Sequence, residues 1–351
     1  MQKSRWLNLV ILLALAGISL LALFPPHQPL AVTGTYAIET ARYTYTDERR
    51  ADLYARAGEK RQVNLACWYP EDAGGGETFP LVVFSHGGLG TENSNESLYR
   101  ELASHGYVVC ALGHPYHAFW TESADGHWTF VSLEYFGELQ RENARTDKGQ
   151  SYEYYQKWLE IRTGDINLVI DAILANAAAG ADGMYARVDG ARIGVMGHSL
   201  GGSAALAIPR QRSDIDAVIA LESPFLGDIL GVENGEFIWL DEAYPVPVLN
   251  IYSDSSWSHL AEWAQYARNA DLLTNAPPTA LSLYLPGRGH FSLTDLSLVS
   301  PLLTRLLDGG QPTRDSIEYL QEVNQACLDF FDRYLKGGDI LQSTKPVSYK
   351  P

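Results

Sequence analysis

One serine stands between two glycines at the junction of a predicted strand and a predicted helix. Residues 197–201 read Gly-His-Ser-Leu-Gly and directly follow the predicted strand 192–196. In this setting the pattern predicts a nucleophile elbow, a sharp turn that presents Ser199. The turn brings the residues two before and two after the serine so close that a Cβ would clash, which accounts for both glycines. The following helix start points backbone N–H groups at a developing oxyanion, so the Leu200 N–H is a predicted donor.

Short apolar runs alternate with amphipathic helices along most of the chain. The run 81–84 is continuously apolar, which is typical of a strand buried in a parallel sheet. Apolar residues at helical spacing predict long helices at 152–179 and 316–335. This alternation predicts a single α/β domain with a mostly parallel central sheet and helices on both faces. Other strands are predicted at 61–69, 107–112, 192–196, 217–221, 246–252 and 280–285, with a helix at 96–104 and an irregular segment at 113–150.

The serine needs a histidine that accepts its proton. The chain has nine histidines, and His290 lies in the loop after the last predicted strand. The order serine, acid, histidine along the chain matches the usual arrangement around such an elbow. We therefore predict His290 as the general base.

Two acids lie between the serine and this histidine. Glu222 ends the predicted strand 217–221, and Asp254 follows the next strand, 246–252. The carboxyl ends of parallel strands meet at one edge of the sheet, so either side chain is a candidate to orient His290. An Asp after the later strand is the commoner position, and the residues by themselves leave both open.

A glycine-rich loop follows the strand 81–84. Residues 85–90 read Ser-His-Gly-Gly-Leu-Gly, the His-Gly-Gly type of loop that supplies a second oxyanion donor. Gly88 is the first candidate donor and Leu89 the second. A phosphate-binding loop is disfavoured because no Gly-Lys-Ser/Thr follows. His114, His117 and His127 lack an accompanying Cys or carboxylate pattern, so we expect neither a metal nor an organic cofactor.

The charge balance excludes some functions. The chain of 351 residues has 26 Lys and Arg against 42 Asp and Glu, a formal net charge of −16. Phosphates recruit basic surfaces, so no nucleic-acid partner is expected, and a neutral or zwitterionic substrate fits better than an anionic one. The three cysteines (Cys67, Cys110 and Cys327) are too few for a disulfide framework, and we expect small core residues.

An apolar N-terminal segment precedes the domain. Residues 7–24 carry no charge and follow Lys3 and Arg5; as a helix they would span ~27 Å, close to the ~30 Å hydrocarbon core. An uncleaved anchor is favoured over a cleaved signal, which places the rest outside the cytoplasm, membrane-anchored or else secreted or periplasmic. The predicted organisation is an anchor or signal segment (1–24), a tether and N-terminal extension (25–58), the enzyme domain (59–340) and a tail (341–351).

Several of these stretches together resemble the platelet-activating-factor acetylhydrolase group of α/β-hydrolases, which is related to the dienelactone hydrolases. The resemblance implies an α/β-hydrolase fold and a serine esterase. In that family the triad acid ends the strand after the elbow, so the resemblance points to Glu222, with Glu where the family has Asp. The matching stretches are CWYP (67–70), PLVVFSHGGLG (80–90), ELASHGYVV (101–109), GHSLGGSAAL (197–206) and AVIALES (217–223).

The expected activity is hydrolysis of a carboxylic ester through an acyl-enzyme, on short-acyl or phospholipid-type esters. The alternatives are an acyltransferase with the same triad, a lipase or polyester hydrolase, and a catalytically silent, membrane-tethered binding protein. A cluster of aromatic residues lies where this fold often inserts a lid, and it predicts either an acyl pocket or ordinary packing: Trp120, Trp128, Phe130, Tyr135 and Phe136.

Overall fold

The computed structural model describes residues 17, 19–71, 75–275 and 277–338. Most of the predicted anchor (1–24) and the whole tail (341–351) lie outside this part of the chain, so both stay predictions. Within the described residues no helix has the length and apolar character needed to cross a membrane.

A mixed sheet of eight strands forms the centre of the fold. The strands of the described residues are β1 (Ile38–Ala51), β2 (Lys60–Pro70), β3 (Phe79–Ser85), β4 (Val108–Gly113), β5 (Trp120–Glu122), β6 (Trp128–Phe130), β7 (Val188–His198), β8 (Ala217–Leu221), β9 (Ile229–Glu233), β10 (Glu236–Trp239), β11 (Val248–Tyr252) and β12 (Ala280–Tyr284). The order of strands in the central sheet is β1-β2-β4-β3-β7-β8-β11-β12. In this sheet β2 is antiparallel to both of its neighbours, and the other six strands after it in this order are parallel to one another. This confirms the predicted mostly parallel sheet.

Helices cover both faces because each buried strand is apolar on both sides. The helices that pack around this sheet are α1 (Glu96–Ser104), α2 (Leu133–Arg141), α3 (Lys148–Ala178), α4 (Leu200–Ala207), α5 (Asp254–Trp257), α6 (Ala267–Asn275), α7 (Leu296–Val299), α8 (Pro301–Leu307) and α9 (Ser316–Lys336). In β3, Leu81 and Val83 pack into one core cluster with α3 and α4, whereas Val82 and Phe84 pack into another with α1 and α9.

The segment 25–58, expected as a tether and extension, contributes the edge strand β1. Ile38 to Ala51 pairs with Lys60 to Pro70 in an antiparallel register. The strand is polar and half-exposed because one face is open to solvent, so it lacks the continuously apolar run by which the buried strands are recognised. Tyr43 and Tyr45 pack against the core from its inner face.

The segment 113–150, predicted to be irregular, contains regular structure. It folds into the hairpin of β5 and β6, then α2 and the first turn of α3. Both strands have only three residues, too short for an alternating pattern to mark them in the sequence.

Candidate active site

The turn after β7 holds Ser199 in a strained conformation. Its φ of 54° and ψ of −125° lie outside the regions that L-residues favour. The Ser199 N–H donates to the Leu221 carbonyl at 2.9 Å, which ties the turn to the end of β8. A Cβ on Gly197 would lie 2.5 Å from the Gly201 backbone, and one on Gly201 would collide with the carbonyl of Ser85. The two glycines are therefore required by the close approach of the backbone.

The structure brings His290 and Glu222 together. His290 Nδ1 lies 3.1 Å from Glu222 Oε2, and the carboxylate is almost completely buried at 1% exposure. Ser253 Oγ also donates to Oε2, at 2.5 Å. Burial alone would raise the pKa of Glu222, but the hydrogen bonds and the charge of His290 outweigh it and lower the pKa below its usual value. Glu222 is therefore an ionised partner for an imidazolium.

Other contacts fix the position of His290 beside the elbow. Its backbone N–H donates to Ser255 Oγ at 2.9 Å, and its carbonyl lies 3.1 Å from Nε2 of His198. The rings of His198 and His290 are 4.4 Å apart between centroids. Since His198 directly precedes Ser199, these contacts place His290 next to the nucleophile turn.

Asp254, the other candidate acid, has different partners. Its Oδ1 accepts a hydrogen bond from the Tyr284 hydroxyl at 2.6 Å, and its Oδ2 accepts one from the Gly287 N–H at 2.9 Å. One bond reaches the last residue of β12 and the other the loop that leads from β12 to His290. The carboxylate thus orients the loop that carries the histidine, while Glu222 contacts the imidazole itself.

The loop after β3 lies against the elbow. A Cβ placed on Gly87 would lie 3.5 Å from Ser199 Cβ and 2.8 Å from His198 Nδ1, so the Gly87 backbone lies close to the serine. The Gly88 carbonyl accepts a hydrogen bond from the Tyr135 hydroxyl at 2.8 Å. The side chain of Leu89 points outward and is 39% exposed. We call residues 86–90 the oxyanion loop below.

Arg162 of α3 holds the oxyanion loop from beneath, a contact that sequence reasoning missed. Its guanidinium is fully buried, with Nη1 donating to the His86 carbonyl and Nη2 to the Gly87 carbonyl at 3.2 Å. Burial lowers the pKa of Arg162. Its spacing in the sequence could have indicated this burial, because Arg162 lies three residues after Leu159 and four before Ile166, on the apolar face of the helix.

A second buried network continues from the same helix. Asp165 accepts hydrogen bonds from Arg61 Nε at 3.0 Å and from His114 Nδ1 at 2.8 Å. His114 Nε2 lies 2.8 Å from Ser85 Oγ, at the end of β3. Burial, followed by the charge of Arg162, lowers the pKa of His114 to about 4, so this ring is neutral at pH 7. The network anchors the strand that leads into the oxyanion loop.

The three histidines of the irregular segment are not gathered into one site. His114 bonds to Ser85 and Asp165, whereas His127 lies exposed beside Asp125. Among the residues that the structure describes, no group of three or more His, Cys, Asp or Glu side chains is arranged to hold a metal ion.

The aromatic cluster splits into two parts. Trp128 and Phe130 project from the hairpin and are 55% and 62% exposed. Tyr135, in contrast, is fully buried and stacks on His117 with centroids 3.8 Å apart. Tyr135 therefore supports the oxyanion loop from within the core, and the hairpin presents its rings to the surface.

The sheet order, with an antiparallel second strand and a strained serine after β7, defines the molecule as an α/β-hydrolase. A ferulic acid esterase from Streptomyces cinnamoneus has a similar fold, with a TM-score of 0.68 at 22% identity over 92% of this chain and 97% of the esterase. The family model for platelet-activating factor acetylhydrolase, isoform II, matches residues 61–345. The chain belongs to that family.

Individual relatives are distant. A platelet-activating factor acetylhydrolase of Cavia porcellus is 22% identical over 278 residues, which cover 74% of this chain and 58% of the relative. Cutinase est1 of Thermobifida alba is 27% identical over 154 residues, 44% of this chain and 37% of the cutinase. The matched regions thus span less than two thirds of these relatives.

Proposed function

We propose that the protein is a serine-dependent carboxylic ester hydrolase that works through an acyl-enzyme. The observation that carries the proposal is the strained Ser199 beside an imidazole bonded to a buried, ionised Glu222. This is the arrangement by which a hydroxyl of ordinary acidity is activated. Family membership and the names of the relatives, an acetylhydrolase and a cutinase, support the same class.

The reaction begins with attack of Ser199 Oγ on the ester carbonyl. His290 takes the hydroxyl proton at Nε2, since Nδ1 is occupied by Glu222. The tetrahedral oxyanion receives hydrogen bonds from the backbone N–H groups of Leu200 and Gly88, with Leu89 as the alternative to Gly88. His290 then protonates the departing alcohol, and a water molecule activated by the same histidine hydrolyses the acyl-enzyme.

The proposed substrates are neutral or zwitterionic esters with short acyl chains or a phospholipid-type alcohol. The net charge of −16 disfavours an anionic ester, and the family match supports the phospholipid type. A series of p-nitrophenyl esters from acetyl to palmitoyl tests the acyl length. A maximum kcat/KM at two to four carbons agrees with the proposal, and a maximum above ten carbons contradicts it in favour of a lipase.

The nucleophile is tested with Ser199→Ala and with a fluorophosphonate probe that labels activated serines. We expect labelling of Ser199 in the native protein, none in the variant, and a fall in kcat on the order of 10⁶. Ser203→Ala, one turn further along α4, is the matched control and should keep its label. Native protein that neither labels nor hydrolyses any ester of the series would instead be a silent binding protein.

The triad acid is tested by comparing Glu222→Gln with Asp254→Asn. Gln cannot stabilise an imidazolium, so we expect kcat to fall by about 10³- to 10⁴-fold in Glu222→Gln. Asp254→Asn keeps one oxygen to accept from the Gly287 N–H, and its NH2 group can donate to the Tyr284 hydroxyl, so its kcat should stay within about tenfold. The reverse order of the two losses would assign the role to Asp254.

A further inference from the structure

Two of the three cysteines lie opposite each other on neighbouring strands of the sheet. Cys67 of β2 and Cys110 of β4 are directly opposed in the antiparallel register, and both are completely buried. Their Sγ atoms lie 2.7 Å apart as free thiols. We propose that Cys67 and Cys110 form a cross-strand disulfide when the chain folds in an oxidising compartment. Three cysteines are too few for a framework, but this pair is placed for one bond.

The register supplies the backbone geometry that a disulfide requires. Residues directly opposed in antiparallel strands have Cα atoms about 4.5 or 5.5 Å apart, depending on the type of pair. Disulfides span Cα separations of about 4.4–6.8 Å, so either type suits the bond. Because the sulfurs already point toward each other, closing it needs a rotation of side chains and no shift of the strands.

The bond forms by thiol–disulfide exchange with an oxidant such as glutathione disulfide. The thiolate of one cysteine attacks a sulfur of the oxidant and releases one glutathione thiolate. The second cysteine then attacks the mixed disulfide and releases the other. Two protein thiols lose two protons and two electrons, and the oxidant is reduced to two thiols.

Burial restricts this exchange to an early stage of folding. Burial raises the pKa of Cys67 well above its usual value, so the folded protein holds almost no thiolate there. Neither sulfur is exposed to an oxidant once β1 and the helices cover the sheet. The disulfide therefore forms before the sheet closes, and afterwards the same burial protects it from reductants.

The bond would close a covalent loop around one part of the active site. Cys67 and Cys110 are 43 residues apart, and the segment between them includes the oxyanion loop. Closing a loop of this length reduces the entropy of the unfolded chain and raises the melting temperature by about 5 °C for a domain of this size.

Thiol labelling tests the bond directly and independently of any esterase activity. The full chain is refolded with reduced and oxidised glutathione, denatured in urea without reductant, and alkylated with iodoacetamide. Peptide mass spectrometry should find Cys327 alkylated and the Cys67 and Cys110 peptides joined, two hydrogens lighter than the separate pair. Three alkylated cysteines, or any link to Cys327, would overturn the proposal.

A stability comparison with a matched variant provides a second readout. Protein refolded with glutathione disulfide should melt about 5 °C above protein kept in dithiothreitol, for both the native chain and Cys327→Ala. Cys67→Ala and Cys110→Ala should show no difference between the two conditions. A difference that persists in these variants contradicts the pairing. If they fail to fold, labelling of the native chain still decides the question.

Discussion

Arg162 shows how one side chain determines the shape of the oxyanion loop. It donates to the carbonyls of His86 and Gly87 from a position with no exposure to solvent. With its donors removed, the His86 carbonyl would lose its buried partner, at a cost of about 1–3 kcal/mol. The Gly87 carbonyl would keep the Gly90 N–H at 3.1 Å and His86 Nδ1 at 2.7 Å, but would lose the donor that ties it to α3. Because a carbonyl and the next N–H belong to one rigid peptide plane, fixing the Gly87 carbonyl also fixes the Gly88 N–H.

Arg162→Lys tests this positioning role. Lysine keeps the charge but has one ammonium group in place of the forked donors, so it cannot hold both carbonyls in the same geometry. We expect kcat to fall by about 10²-fold with a change in KM below threefold, since the oxyanion is bound only in the transition state. Steady-state kinetics measures kcat and KM, and a circular dichroism spectrum checks that the variant keeps its fold.

Arg212→Lys is the control, because the Arg212 guanidinium bonds only to the surface carboxylates Asp171 and Asp214 in the described structure. Its kinetics should match the native enzyme. Equal losses in the two variants, or a loss in Arg162→Lys carried mainly by KM, would contradict a role in transition-state geometry.

The two adjacent glycines of the oxyanion loop differ in the space that surrounds them. A Cβ on Gly87 would press on the His198 ring at 2.8 Å and touch Ser199 Cβ at 3.5 Å. A Cβ on Gly88 would meet Leu139 and the Tyr135 hydroxyl only at ordinary contact distances, 3.6 Å or more. Neither position has a positive φ, so the difference is one of space.

Gly87→Ala and Gly88→Ala form a matched pair. We expect Gly87→Ala to lower kcat/KM by about 10²-fold, because the loop must withdraw from the serine to relieve the contact. Gly88→Ala should stay within about threefold of the native value. Kinetics with one short-acyl ester measures both, and similar losses in the two variants would contradict the placement of the loop.

Buried ionisable groups make the free energy of unfolding depend on pH. Burial lowers the pKa values of four histidines: to about 4 for His114, to about 3 for His198, and well below the usual value for His86 and His117. Between these values and the unfolded value of about 6.5, the unfolded chain binds more protons, so stability falls as pH falls. Burial raises the pKa of Asp295 to about 7, so its effect is opposite: its contribution to stability is lost as pH rises from the unfolded value of about 3.9 through 7.

The four histidines outweigh the one aspartate. Near pH 5 the unfolded chain therefore binds about three more protons at these sites, and the free energy of unfolding should fall by about 4 kcal/mol per pH unit. Urea denaturation at pH 7, 6, 5 and 4.5 measures this slope. A free energy of unfolding that stays constant or rises toward pH 4.5 would contradict it.

His117→Phe isolates one of these protons. Neither ring nitrogen of His117 has a hydrogen-bond partner among the described residues, and its ring stacks on Tyr135, as a phenyl ring also could. We expect unchanged or greater stability at pH 7 and a slope near pH 5 smaller by about 1.4 kcal/mol per pH unit. A slope equal to that of the native chain would show that His117 does not titrate on unfolding.

Much of this architecture was predictable because its signals are local. The short buried strands β3, β8 and β11 and the helices α1 and α9 appear in the sequence within a few residues of their observed bounds. The edge strand β1 was not predicted because the sequence of a half-exposed strand resembles that of a polar loop. The role of Arg162 was not predicted because a charged residue is rarely buried on the apolar face of a helix.

The sequence by itself determined the α/β-hydrolase class and the serine turn, since an elbow between a strand and a helix is encoded by neighbouring residues. It also located the candidate acids and histidine at strand ends. Only the tertiary structure showed that Glu222 contacts His290, that Asp254 holds the adjacent loop, and that Cys67 faces Cys110. These pairings depend on strand order and register, which join residues distant in the chain and leave no local pattern.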